Sequence, residues 1–196
     1  TNMEGGLFGG IARKLAGESL FMTMYTCRNG VGTIAFPSSF PGSILAFDLQ
    51  PGQAIICQKK AFLAAERSVN LEMHFRKNLG TGFFGGEGFI MQRLTGPGRV
   101  FIEIDGSSIR KTLQPGEVLM VDTGHVAAIS PSVQMEVSMV KGFKNVLFGG
   151  EGLFLTELRG PGEVWLQTMP AQNVAKSIIP FLPSPSSGGG GFNFGS

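Results

Sequence analysis

Apolar and polar positions along the chain follow a strand period, in short runs. Ala54-Ile55-Ile56-Cys57 and Val118-Leu119-Met120-Val121 are continuous apolar tetrads. Val69 to Phe75 and Val133 to Val137 alternate apolar with polar, the pattern of a half-buried strand. Phe89 to Leu94 and Val100 to Ile104 flank Gly96-Pro97-Gly98. Proline presets φ at the second turn position, and glycine accepts the positive φ that can follow. Pro51-Gly52, Pro115-Gly116 and Pro161-Gly162 repeat that chemistry, and Asn29-Gly30 suits a two-residue hairpin turn. Turn signals every eight to twelve residues predict a β-sandwich or barrel rather than βαβ units. Val174, Ala175, Ile178 and Ile179 fall at helical spacing before Pro180, predicting a short C-terminal helix packed on the β body. From Pro183 onward the Pro, Ser and Gly content predicts a flexible tail.

The pattern also repeats. Phe83 to Ile104 matches Leu147 to Thr168 at 10 of 22 positions, without a gap, at an offset of 64. Leu49 to Phe75 matches Leu113 to Met139 at 8 of 27 positions at the same offset. Two blocks sharing one offset imply internal duplication. Each unit has an FGGEG half and an LQPG half. A weaker FGGEG half opens the chain at Leu7-Phe8-Gly9-Gly10 and Gly17-Glu18-Ser19-Leu20-Phe21, with Ile11 to Ala16 inserted as one expected helical turn. The FGGEG half thus occurs three times and the LQPG half twice, so the expectation is that the missing half precedes Thr1. The domain reading is a truncated first β unit over 1–48, a second over 49–112, a third over 113–170, a helix over 171–182 and a tail over 183–196.

The units LFGGEG, RLTGPGRVFIE, LQPGEVLMVDTGH and GPGEVWLQTMP resemble the altered-inheritance-of-mitochondria family over about residues 1–182. The resemblance implies a fold like the trp RNA-binding attenuation protein, with β-sandwich units under pseudo-threefold symmetry. The fold class expected is therefore all-β, internally repeated, with a short C-terminal helix. The resemblance implies no established reaction and no agreed catalytic residues. Its fungal mitochondrial members are linked to inner-membrane organisation.

Composition narrows the function classes. Charged residues make up 15% and hydrophobic ones 42%, so most of the chain has the means to bury a core. Sixteen Lys and Arg face 14 Asp and Glu, too balanced for a nucleic-acid polycation. Arg93, Arg99 and Arg110-Lys111 form a modest basic set, but Glu157 and Glu163 replace the first two in the next unit. Nucleic acid is not expected as a partner. No run of eighteen apolar residues exists, so no membrane span is expected. With no presequence pattern and two cysteines without metal spacing, Cys27 and Cys57, the location expected is cytoplasmic and bacterial, or mitochondrial if eukaryotic.

Candidate chemistry is sparse. Asp122-Thr123-Gly124 matches the aspartic-protease triplet, but its internal equivalent is Gln58, so one chain supplies no second carboxylate. The expected role of Asp122 is to accept backbone N–H groups in a turn. Gly80 to Gly85 spells GxGxxG, but a strand pattern follows where a dinucleotide site needs a helix. His74 and His125 do not recur between units and have no ligand partner at zinc spacing. Asp122 with His125 is the one unique polar pair that would suit an enzyme. Glu18, Glu87 and Glu151 each follow glycine in their copy of the repeat. They are expected to anchor their own turns, with a carboxylate ring for a metal or basic ligand as the sharper alternative. Phe8, Phe84 and Phe148 precede Gly-Gly and are candidate core plugs or interface residues.

The reading is a non-enzymatic β-scaffold or oligomeric interaction module without cofactor. Self-association or a protein partner is expected. The alternative is a small-ligand or metal-ion module at the junctions of the units.

Overall fold

The computed structural model describes residues 13–15, 18–20, 22–79, 87–139 and 154–182. Among the described residues the chain is all-β with one short C-terminal helix, as the apolar pattern requires. Strands β1 (Arg13–Leu15) and β2 (Glu18–Leu20) pair as a separate hairpin, so the expected helical turn at Ile11 to Ala16 is instead partly strand. The body is built from β3 (Gly42–Leu49), β4 (Ala54–Gln58), β5 (Phe62–Ala65), β6 (Asn70–Lys77), β7 (Phe89–Thr95) and β8 (Gly98–Asp105). It continues with β9 (Ser108–Leu113), β10 (Val118–Asp122), β11 (Val126–Ile129), β12 (Gln134–Met139), β13 (Phe154–Arg159) and β14 (Gly162–Gln167). Residues 22–41 hold no strand; Gly30 does take a positive φ of 74°, but no hairpin flanks it.

The strands make three layers. A six-stranded sheet runs β6-β7-β4-β11-β14-β9, and three-stranded sheets β3-β8-β5 and β10-β13-β12 complete the body. One core cluster joins Val100, Ile102 and Ile104 of β8 to Ile55 and Cys57 of β4. The other joins Val137 and Leu158 of the outer β12 and β13 to Ile56 of β4. Because side chains alternate faces along a strand, β4 feeds both clusters and must be apolar throughout. The same holds for β11, whose four residues are all buried. The two apolar tetrads of the sequence differ in this respect: β4 lies inside a sheet, whereas β10 lies at the edge of one.

Strand pairs recur at the offset of the sequence repeat. β7 lies between β6 and β4, and β13 lies between β12 and β10. β8 lies between β3 and β5, and β14 lies between β9 and β11. The LQPG turns are closed alike. The backbone N–H of Gln50 donates to Gln53 Oε1 at 2.9 Å, and that of Gln114 donates to Glu117 Oε2 at 2.9 Å. Gly52 and Gly116 sit at φ of 81° and 79°, the left-handed region that Pro-Gly turns call for. Both β5 and β11 carry a bulge, at Leu63 and Ala127, each just after a 3-10 turn.

Helix α1 (Ala171–Ile178) is fixed at its start and open at its end. Asp105 Oδ2 accepts from the Ala171 N–H at 2.8 Å, and Asn173 meets His125. Beyond that, Ile178, Ile179, Phe181 and Leu182 are exposed, so only the first part of the expected packing on the β body is made.

Candidate functional site

Of the glutamates singled out by the repeat, Glu87 is the one whose side chain is described. Its Oε2 lies 2.8 Å from Lys59 Nζ, at the 3-10 turn after β4. The Lys59 hydrogen bond, ahead of its charge, holds the Glu87 carboxyl below the usual range. Glu87 is thereby tied to the neighbouring 3-10 turn Lys59–Ala61. The small recess there, between Gln58, Lys60 and Ile90, is too small for an organic ligand. Glu18 stands on β2 opposite Leu15, with no side-chain position described. Glu151, Phe8, Phe84 and Phe148 lie outside the described residues. Among the described residues no group of three His, Cys, Asp or Glu side chains converges to hold a metal.

The Asp122 and His125 pair is taken up by structure. Asp122 Oδ1 accepts the Gly124 N–H at 2.9 Å, capping the 3-10 turn Thr123–His125 as the sequence suggested. His125 Nδ1 lies 2.7 Å from the Gln167 carbonyl and so carries its proton there. Its Nε2, 3.2 Å from Asn173 Nδ2, is then the acceptor. Gln167, itself buried, donates to Gly124 O at 2.8 Å and accepts from the Asp105 N–H at 3.1 Å. This network ties β8, β14, the turn and α1 together. Sequence reasoning missed Gln167 and Asn173, because nothing in a lone Gln or Asn marks it as a clamp.

Two other places stand out. The first is a pair of open strand edges. Inside the six-stranded sheet, β4 pairs with β11, with Cys57 opposite Ala128 and Ile56 opposite Ile129. The strands 64 residues away, β10 and β5, each end a three-stranded sheet, with one side unpaired among the described residues. Val118 and Met120 of β10 are 42% and 50% exposed, and neither β5 nor β10 carries the lysine or proline that commonly blocks an edge. The second is a cleft beside Phe47, Arg93 and Trp165. Arg93 belonged to the basic set read from the sequence. The others of that set are paired with carboxylates: Arg99 with Asp48 at 2.6 Å, Arg110 with Glu163, and Lys111 with Glu117 at 3.1 Å.

Comparison with known proteins now places the chain. The sequence profile of the mitochondrial biogenesis AIM24 family matches residues 1–169. The chain belongs to that family. An uncharacterized protein of Streptococcus pyogenes serotype M6 is 33% identical over 184 residues, covering 93% of this chain and 72% of that protein. The crystal structure of another Streptococcus pyogenes protein matches with a TM-score of 0.61 and 27% identity, over 74% of this chain. This chain spans 62% of the length of that solved relative. The LFGGEG and LQPG units were thus a sound guide to the AIM24 family. Among the described residues no helix is long and apolar enough to cross a membrane.

Proposed function

We propose that the chain is a non-enzymatic β-scaffold that associates with further copies of itself, edge β10 of one copy on edge β5 of the next. The observation that carries this reading is the internal joint between β4 and β11. It is a worked example of how the LQPG strands of two neighbouring units pair. Transferred by the repeat offset, it sets Ala64 opposite Val121 and Ala65 opposite Met120. The contact is head-to-tail, so it forms a ring if its rotation closes. The occupied hydrogen-bonding positions of Asp122 and His125 favour a scaffold over a hydrolase. The bacterial relatives favour a bacterial cytoplasm.

Native mass spectrometry of the protein at micromolar concentration tests the reading. A discrete oligomer that Val121→Lys converts to a folded monomer supports it. A wild-type monomer, or an oligomer indifferent to Val121→Lys, contradicts it.

A further inference from the structure

The cleft beside Arg93 lies where the two complete repeats meet. It has a volume of about 450 Å³ and opens to solvent between the start of β4 and the turn after β11. That is the size of a pocket for a small molecule, roughly 300–1,000 Å³. Phe47, Leu49 and Ile55 give it an apolar wall; Ser130 and Ser132 give it hydroxyls. Trp165 closes the floor, packed edge-on against Phe47 with ring centroids 5.2 Å apart.

Two charged side chains reach this space, and their circumstances differ. The Glu163 carboxylate is matched by the Arg110 guanidinium, which also lies 5.8 Å from the Trp165 ring centroid. Arg93 is half-buried, and its guanidinium forms no hydrogen bond or ion pair with a described residue. Glu72 stands opposite it on β6 but does not close on it. A guanidinium carries five N–H donors in a planar fork, and burial strips water from them. Such a group is stabilised by an anion that offers two oxygens in one plane. Its charge is already felt nearby: after burial, it is the next cause that holds the His74 imidazole below its ordinary value.

We propose that this cleft binds a small organic anion. Its carboxylate or phosphate pairs with Arg93, and its apolar body lies against Phe47, Leu49 and Ile55. The site goes beyond the scaffold reading and does not depend on it. It is also distinct from the glutamate-centred junction site considered from the sequence.

Trp165 is the single tryptophan of the chain, so intrinsic fluorescence reports on the cleft directly. The probes are benzoate, phenyl phosphate and inorganic phosphate, with benzylamine as the cationic control. The expected result is a saturable change with benzoate or phenyl phosphate and none with benzylamine. Benzoate alone assigns a carboxylate ligand. Phenyl phosphate alone assigns a phosphate, and inorganic phosphate then shows whether the apolar body matters. Arg93→Gln should weaken binding about tenfold or more, the worth of a hydrogen bond to a charged group, and Arg93→Lys should restore part of it. Should Arg93→Gln not fold, backbone amide shifts of the wild-type protein on adding the same probes give the answer. They should cluster at Gly52–Ile55, Arg93 and Ser130–Ser132. The proposal is overturned by no saturable response to any anion, by equal binding to folded Arg93→Gln, by equal binding of benzylamine, or by shifts scattered away from the cleft.

Discussion

A thiol reagent added to the folded protein at pH 8 should label one cysteine fast and the other very slowly. Cys27 is exposed, whereas Cys57 is fully buried in β4 opposite Ala128. Burial pushes the Cys57 thiol up to about 12. At pH 8 the buried thiol is therefore un-ionised and unreactive while the sheet stays closed. The reagent reaches Cys57 only when the central sheet opens, so the population of the open state sets how slowly it is labelled. Ile129, fully buried on β11 beside this joint, tests that route. Ile129→Ala should remove about 2–5 kcal/mol, which speeds labelling of Cys57 by roughly 30-fold to several thousandfold if opening of this sheet limits it. The assay is release of the coloured aromatic thiolate, with peptide mass mapping to assign the two phases. Equal rates for both cysteines, or a Cys57 rate unmoved by Ile129→Ala, would refute the placement of β4 between two buried faces.

Three further outcomes follow from single positions. Gly162 has a φ of 144°, and a Cβ there would lie 2.6 Å from Ser132 Oγ and 2.7 Å from Val133 Cγ2; Gly162→Ala should cost about 1–3 kcal/mol and lower Tm by several degrees in a calorimetric scan. Asp122→Asn keeps an acceptor for the Gly124 N–H and should leave stability nearly unchanged, while Asp122→Ala should cost about 1 kcal/mol in urea unfolding. Burial, and then the charge of Arg93, hold the His74 imidazole below its ordinary 6.5. Between the depressed value and 6.5 the unfolded chain therefore binds more protons than the folded one. Stability should fall as pH drops through that window, and a series of thermal scans on His74→Gln should show a shallower fall.

Much of the architecture was written in the apolar pattern, and particular residues show why the remainder was not. Ile55, Ile56 and Cys57 form an uninterrupted run because β4 is covered on both sides, and the run marked the strand correctly. Val118 to Val121 looks the same in sequence but forms an edge, since local pattern carries no information on which strand a neighbour supplies. The Asp122 turn was legible because a short acidic side chain beside glycine closes its own turn. The partner of Glu87 was not, because Lys59 lies 28 residues away and the contact exists only once β4 and β7 pair. Arg93 was read as part of a basic set. Its separation from Arg99 and Arg110 follows from their ion pairs with Asp48 and Glu163, which sheet register alone decides.

Head-to-tail association through β10 and β5 is most directly tested by mixing two single-cysteine variants. One is Ala64→Cys, the other Val121→Cys, both made in a Cys27→Ser background that retains the buried Cys57. Residues directly opposite in an antiparallel pair have Cα atoms roughly 4.5–5.5 Å apart, within the span of a disulfide. Mild oxidation of the mixture should give a disulfide-linked pair of one copy of each variant, quickly and in high yield. Ala64→Cys mixed with Val118→Cys, three positions out of register, should give little. Equal yields from the two mixtures, or no linked pair from the first, would contradict the scaffold account.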